Sequence, residues 1–237
     1  MNRIRNGEFT PDDLFQFTVK VHNPVSVCTG SIISKRYVLT AAHCIKEQES
    51  SPKIKYDTYE VYQNNINYAE VRPLNIFDKS KMPKSINAYI TKNFSQWYSN
   101  DIAILEFPEG TDFGIEPVKL AKDYFEKEGD EAYITGFGAW WEEGNKTSGG
   151  STVLRHASVP FVMECLGTLR ICDGNSTHHG LQGDSGGPMI IQRNNQWYQI
   201  AVASGYSHQD GHKYDLFMAF SFLIFVQKML NQVLQIQ

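Results

Sequence analysis

Short apolar runs, each closed by turn-forming residues, recur along almost the whole chain and set its fold class. They include "FQFTVKV" (15–21), "GSIISKRYVLTA" (30–41), "YEVYQNNINY" (59–68), "DIAILEF" (101–107), "EAYITGFG" (131–138), "GPMIIQ" (187–192) and "WYQIAVAS" (197–204). Each is rich in β-branched and aromatic residues and bounded by Gly, Pro, Asn, Asp or Ser. Runs of this length and spacing read as strands of a sandwich or barrel. One segment breaks the pattern. From Phe222 the apolar residues fall at 222, 225, 226, 229, 230, 233 and 234. That is helical spacing, and it predicts an amphipathic helix over about 221–235 that lays its apolar stripe on the β body. "WEEGNKTSGGS" (141–151) reads as a polar, glycine-rich surface loop. No internal repeat, low-complexity tract or clear linker occurs.

At 237 residues the chain suits one large β domain or two small ones. Its net charge of −4 gives no electrostatic case for a nucleic-acid partner. The longest apolar candidate, "FMAFSFLIFV" (217–226), falls short of the roughly 20 residues of a membrane helix, so no membrane partner is expected. "MNRIRNGEFT" is polar and is not a signal peptide. The four cysteines, Cys28, Cys44, Cys165 and Cys172, form two local pairs without a CxxC metal spacing. Three N-x-[ST] triplets begin at Asn93, Asn145 and Asn175. Together these features read as a secreted glycoprotein whose leader lies outside this numbering.

"GLQGDSGGP" (180–188) crowds glycines around one serine, Ser185. A serine hydroxyl is a poor nucleophile at neutral pH and needs a base, which in turn needs an orienting acid. Attack on a carbonyl also creates an oxyanion that calls for aimed N–H donors. Glycines let the backbone turn sharply and present such donors, here those of Gly183 and Ser185. The candidate base is His43 in "LTAAHC", just after an apolar strand. The candidate acid is Asp101, which opens "DIAILEF" at an edge where a carboxylate wants a partner.

"TAAHC" (40–44), "NDIAIL" (100–105) and "GDSGGP" (183–188), in that order, resemble the trypsin/chymotrypsin family of serine endopeptidases. The resemblance runs from about Ile4 to the C-terminal helix, so residues 4–237 form one protease domain and 1–3 a remnant of an activation segment. It implies two six-stranded antiparallel barrels with the site between them. His43 and Asp101 would come from the first barrel and Ser185 from the second. It makes His43 the general base and acid, Asp101 its orienting partner, Ser185 the nucleophile, and the N–H groups of Gly183 and Ser185 the oxyanion hole.

The same resemblance pairs Cys28 with Cys44 and Cys165 with Cys172. Two other family bridges are missing as pairs: Ala132 and Ile191 stand where one would be, and Leu181 replaces a cysteine of the other. "RIRNGEF" (3–9) is similar to the family's activation site, with Arg5-Asn6-Gly7 in place of the usual Val-Gly-Gly. Cleavage after Arg3 would free the Ile4 amine to pair with Asp184. The pocket floor falls on His179, neutral or positive near pH 7 and not built for Lys or Arg. Its walls fall in 203–217, on Ser204, which matches the family's serine beside the triad, on Tyr206, which narrows the entrance, and on Asp215, which either pairs with His179 or attracts a basic side chain. The spacing from His43 to Asp101 implies an insertion within 65–97.

The expected activity is hydrolysis of protein or peptide substrates through an acyl-enzyme, by a monomer subject to an activating protease and to protein inhibitors. No cofactor is implied. His178, His208 and His212 are read as solvated rather than as a metal site. The competing reading is a catalytically silent protease-like binding protein, and an esterase or acyltransferase ranks lower.

Overall fold

The computed structural model describes residues 3–45, 53–56, 58–71, 83–92, 94, 100–121, 124, 131–139, 142–143, 146–147, 149–162, 170–175, 177–209, 212–218 and 231. The predicted C-terminal helix lies outside the described residues except for Asn231, which is helical. Among the described residues no helix is long and apolar enough to cross a membrane.

The chain is an all-β protein built around two eight-stranded sheets. Strand β1 (Glu8–Phe9) belongs to the second sheet. The first sheet takes β2 (Thr18–His22), β3 (Val27–Ser34), β4 (Tyr37–Thr40), β5 (Lys53–Lys55), β6 (Tyr59–Gln63), β7 (Tyr68–Glu70), β8 (Asn87–Thr91) and β9 (Ala103–Glu106), in the order β5-β6-β8-β9-β4-β3-β2-β7. Its pairings are antiparallel.

The second half contributes β10 (Lys119–Leu120), β11 (Glu131–Gly136), the hairpin of β12 (Glu142–Glu143) and β13 (Lys146–Thr147), then β14 (Arg155–Val162), β15 (Arg170–Asp173), β16 (Pro188–Arg193), β17 (Gln196–Gln209) and β18 (His212–Met218). The second sheet is ordered β1-β14-β11-β16-β17-β18-β15, and β15 also pairs with β14. The pairing therefore returns to β14 through six strands. Short β10 joins β17 in parallel.

Two sequence runs prove to be composite. "GSIISKRYVLTA" turns at Lys35-Arg36 into the hairpin of β3 and β4. "YEVYQNNINY" breaks after Gln63. The Asn64 side chain donates to Asn67 Oδ1 at 2.9 Å and accepts from the Ser85 hydroxyl at 2.7 Å. Asn side chains that bond nearby groups compete with a strand ladder, and these two win locally while buried. The loop expected over 141–151 carries the short β12–β13 hairpin.

One apolar core fills the first sheet and reaches into the second through Phe137, Leu154, Ile190 and Val202. A second core, with Ile134, Ile171, Met189 and Ile200, lies within the second sheet and takes in the side chain of Ile4. Ala132, Ile191 and Leu181, the positions of the missing bridges, are all buried apolar residues, so packing occupies the space a disulfide would. The Cys28–Cys44 disulfide is formed. Cys172 is disulfide-bonded as well, and Cys165 lies outside the described residues. The sequons at Asn93 and Asn145 also fall outside the described residues.

Candidate active site

His43 sits in a single 3₁₀ turn, Ala42–Cys44, that ends the β3–β4 hairpin. The hairpin is pinned by the bridge from Cys28, on β3, to Cys44. His43, Cys28 and Cys44 bring a ring nitrogen and two sulfurs within 4.8 Å of one another, but both sulfurs are committed to the disulfide and offer no thiolate for a metal. Asp101 precedes β9, which pairs with β4, so sheet register brings it to His43 across 58 residues of chain.

The Asp101 carboxylate is 1% exposed. It accepts the His43 backbone N–H on Oδ1 at 3.0 Å, and its Oδ2 lies 2.7 Å from His43 Nδ1. A carboxylate flanked by an imidazole nitrogen accepts from an N–H, which fixes the tautomer with the proton on Nδ1. The third donor comes from the other half of the chain: the Ser204 hydroxyl, on β17, donates to Oδ2 at 2.6 Å. Three donors offset the cost of burying this charge. The serine that the family resemblance set beside the acid and base thus turns its hydroxyl to Asp101.

Ser185 is partly exposed between β15 and β16, in a loop shaped by Gly183 (φ +99°) and Gly186 (φ +81°). Both glycines adopt the left-handed region that side chains resist. Close approach adds a second demand at Gly186, where a Cβ would lie 2.1 Å from Thr40 Oγ1 and 2.3 Å from the Thr29 carbonyl oxygen. The glycines are therefore needed to press the serine loop against the first sheet.

Thr29, next to Cys28 on β3, receives that loop. Its N–H donates to the Ser185 carbonyl at 2.8 Å, and its hydroxyl donates to the Gly183 carbonyl at 2.9 Å. Sequence reasoning missed Thr29, because nothing in "VCTGSI" marks a threonine whose partners lie more than 100 residues away.

Asp184 is buried against the loop after β11. Its Oδ1 accepts the Gly138 N–H at 2.8 Å and its Oδ2 accepts the Leu181 N–H at 2.9 Å. Burial pushes its carboxyl up to about 7, against the pull of the Leu181 and Gly138 N–H groups. In the continuous chain the Ile4 nitrogen is a peptide nitrogen, so the expected ion pair has no amine to form from. The Ile4 side chain is nonetheless buried in the second core, at φ +39°.

The segment after Ile4 is anchored by specific contacts. The Arg5 N–H donates to the His179 carbonyl at 3.0 Å, the Asn6 side chain to the Thr177 carbonyl at 2.6 Å, and buried Arg155 to the Gly7 carbonyl at 3.3 Å. The start of the chain and the 177–179 loop are thus one hydrogen-bonded unit.

His179 is 1% exposed, and its Nδ1 lies 2.8 Å from the Gly180 carbonyl, an acceptor, so Nδ1 carries the proton. Asn175 shapes the loop before it, its Oδ1 accepting from Thr177 N–H and His178 N–H at 2.8 and 2.9 Å. Tyr206 and Asp215 are register partners across β17 and β18, and Asp173 is the partner of Asp215 across β15 and β18. The Asp173 carboxylate is fully buried. It is a second buried acid, next to Gly174, which packs against His178 and His179, and its signal in the sequence was an acidic residue directly after the apolar pair Ile171-Cys172. His208 and His212 lie in the β17–β18 hairpin, and His178 lies in the separate loop before His179, with its Nδ1 2.9 Å from the Thr177 hydroxyl.

An acid-held imidazole at the end of one hairpin, with the Ser185 loop hydrogen-bonded to Thr29 of that same hairpin, brings together residue types that can carry acyl transfer. Similarity to known proteins points the same way. The chain is 26% identical to serine protease 28 of Mus musculus over 229 residues, covering 85% of this chain and 79% of that protein. It is also 26% identical to coagulation factor IX of Oryctolagus cuniculus over 207 residues, covering 80% and 70%. Residues 4–226 match the trypsin family, and the chain belongs to that family.

Proposed function

We propose that this chain is a serine endopeptidase that cleaves peptide bonds through Ser185, His43 and Asp101. In the first step Ser185 Oγ attacks the scissile carbonyl carbon while His43 Nε2 takes the hydroxyl proton. Asp101 stabilises the imidazolium, and the Gly183 and Ser185 N–H groups hold the oxyanion. The imidazolium then protonates the leaving amine, the C–N bond breaks, and an acyl-enzyme remains. Water, deprotonated by the same imidazole, releases the acid product. The observation that carries this reading is the Asp101 carboxylate, which accepts from His43 twice and from Ser204 once while buried.

Cleavage after Arg3 is part of the same proposal. The buried Asp184 carboxyl, held up to about 7, is a natural partner for a freed Ile4 amine. Arg5, Asn6 and Gly7 are already anchored, to His179, Thr177 and Arg155. Proteins or peptides are the proposed substrates, protein inhibitors the proposed regulators, and a secreted monomer the proposed form. The disulfide bonds support an oxidising compartment. With His179 as its floor, the pocket is proposed to select something other than Lys or Arg.

A fluorophosphonate probe, which phosphonylates an activated serine with loss of fluoride, tests the reading on the full chain, on a form beginning at Ile4, and on each with Ser185→Ala. Labelling that is strongest from Ile4 and lost in the alanine variants is expected. A folded Ile4 form that does not label would instead favour the protease-like binding protein. Hydrolysis of simple esters with no peptide turnover would favour the esterase.

A further inference from the structure

The hydrogen bonds of the serine loop determine where its amides point. A trans peptide sets its C=O and N–H in opposite directions, so a held carbonyl aims the N–H that follows it. The Gln182 carbonyl accepts the Ala139 N–H at 2.6 Å, which aims the Gly183 N–H away from the 139 side. The Asp184 carbonyl accepts the Gly187 N–H at 2.8 Å, which likewise aims the Ser185 N–H. Those two bonds stay within the second half of the chain. The carbonyls of Gly183 and Ser185 are held from the first sheet, both by Thr29.

Thr29 is fully buried. Its hydroxyl donates to the Gly183 carbonyl and accepts the Phe137 N–H at 3.1 Å, so one oxygen joins the serine loop to the strand end that precedes Gly138. Its own carbonyl accepts the Thr40 hydroxyl at 2.8 Å, which fixes β3 against β4 next to His43. The Gly187 position closes the cluster, where a Cβ would lie 3.3 Å from Thr29 Cγ2.

We propose that Thr29 is a positioning residue for the reaction: its hydroxyl locks the oxyanion loop onto the β-hairpin that carries His43, so that donors from the second sheet and the base from the first sheet keep one register. The proposal rests on Ser185 being the nucleophile. It assigns to a first-sheet side chain a part of oxyanion-loop geometry that backbone bonds and Asp184 do not cover.

The test compares Thr29→Val, which keeps the shape and loses the hydroxyl, with Thr29→Ser, which keeps the hydroxyl. Both are made in the full chain and in the form beginning at Ile4. Two readouts are taken: hydrogen exchange of the 180–188 and 137–139 amides, and the rate of fluorophosphonate labelling, with kcat and KM wherever a peptide is turned over. Thr29→Val is expected to speed exchange in both segments and to slow labelling about ten- to hundredfold. The loss should fall on kcat rather than KM, and Thr29→Ser should restore it.

Thr18→Val is the control. The Thr18 hydroxyl bonds that of Thr135 at 2.6 Å, another buried link between the sheets, made to a side chain outside 180–188. Its loss should lower Tm without loosening 180–188. The proposal is overturned if Thr29→Val exchanges and labels like the parent, or if Thr18→Val slows labelling equally. If Thr29→Val does not fold, Thr29→Ala is read by the same criteria. A parent that never labels would remove the serine-hydrolase reading, while the exchange comparison would still decide whether Thr29 locks the loop.

Discussion

The Asp184 carboxylate rests directly on Gly138, accepting its N–H at 2.8 Å, and a Cβ there would lie 2.6 Å from the carboxyl carbon. Gly136 is still tighter, with a Cβ position 2.1 Å from Asp184 Oδ1. Neither glycine has a left-handed φ, so the demand at both is for space. Gly138→Ala is expected to push Asp184 out of its seat, at a cost of about 1–3 kcal/mol, the range of an overpacked core. Thermal unfolding should show a drop in Tm of several degrees, and fluorophosphonate labelling should fall with it. A variant with full stability and full labelling would mean that the carboxylate can shift without consequence for Ser185.

The same carboxyl makes stability depend on pH in the uncleaved chain. Its folded value of about 7 lies above its ordinary 3.8. The stabilisation it gives is therefore fully present below the unfolded value and is lost as pH rises through about 7. The gap corresponds to roughly 4 kcal/mol at most. Urea midpoints of the full chain should fall between pH 4.5 and 7.5, and Asp184→Asn should flatten this component. In the form beginning at Ile4, an amine beside the carboxylate should reverse the sign, with stability lost on acidification. Equal slopes in the two forms would argue against insertion of the amine.

These two predictions show where the sequence was informative. "TAAHC", "NDIAIL" and "GDSGGP" are each a few adjacent residues, so their chemistry could be read without knowing the fold. What could not be read were pairings across long stretches of chain. Thr29 meets Gly183 across 154 residues and Phe137 across 108. Alternation of apolar residues predicted strands but could not show that Asn64 and Asn67 would break one of them, because that outcome depends on Ser85 arriving from a later segment. The surroundings of Asp215 were the least legible part, since Asp173 and Asp215 become neighbours only through the β15–β18 register.

Asp101 accepts from donors in both halves of the chain, and the Ser204 hydroxyl can be removed without touching His43. A hydrogen bond to an ionised group contributes about 1.5–3 kcal/mol. Ser204→Ala should lower kcat about tenfold or more while the fold survives. Asp101→Asn should be far more severe, about 10⁴-fold, the loss associated with a misheld imidazole tautomer in this family. Steady-state kinetics on any cleaved peptide would separate the two. Equal losses would mean that Ser204 acts on substrate rather than through Asp101.

The Cys28–Cys44 bridge closes a loop of 16 residues in sequence separation, and a loop of that size is worth about 3 kcal/mol in the chain-entropy account. Its placement suggests a second effect. Cys44 follows His43 in the 3₁₀ turn, and Cys28 precedes Thr29, which holds the Ser185 carbonyl. The bridge therefore ties the base and the serine loop to one short covalent frame. The double substitution Cys28→Ser and Cys44→Ser should lower the urea midpoint by an amount equivalent to about 3 kcal/mol. It should also slow labelling under conditions where the variant is still fully folded. Stability loss with an unchanged labelling rate would show that the bridge stabilises the hairpin but leaves the register of His43 and Ser185 to hydrogen bonds alone.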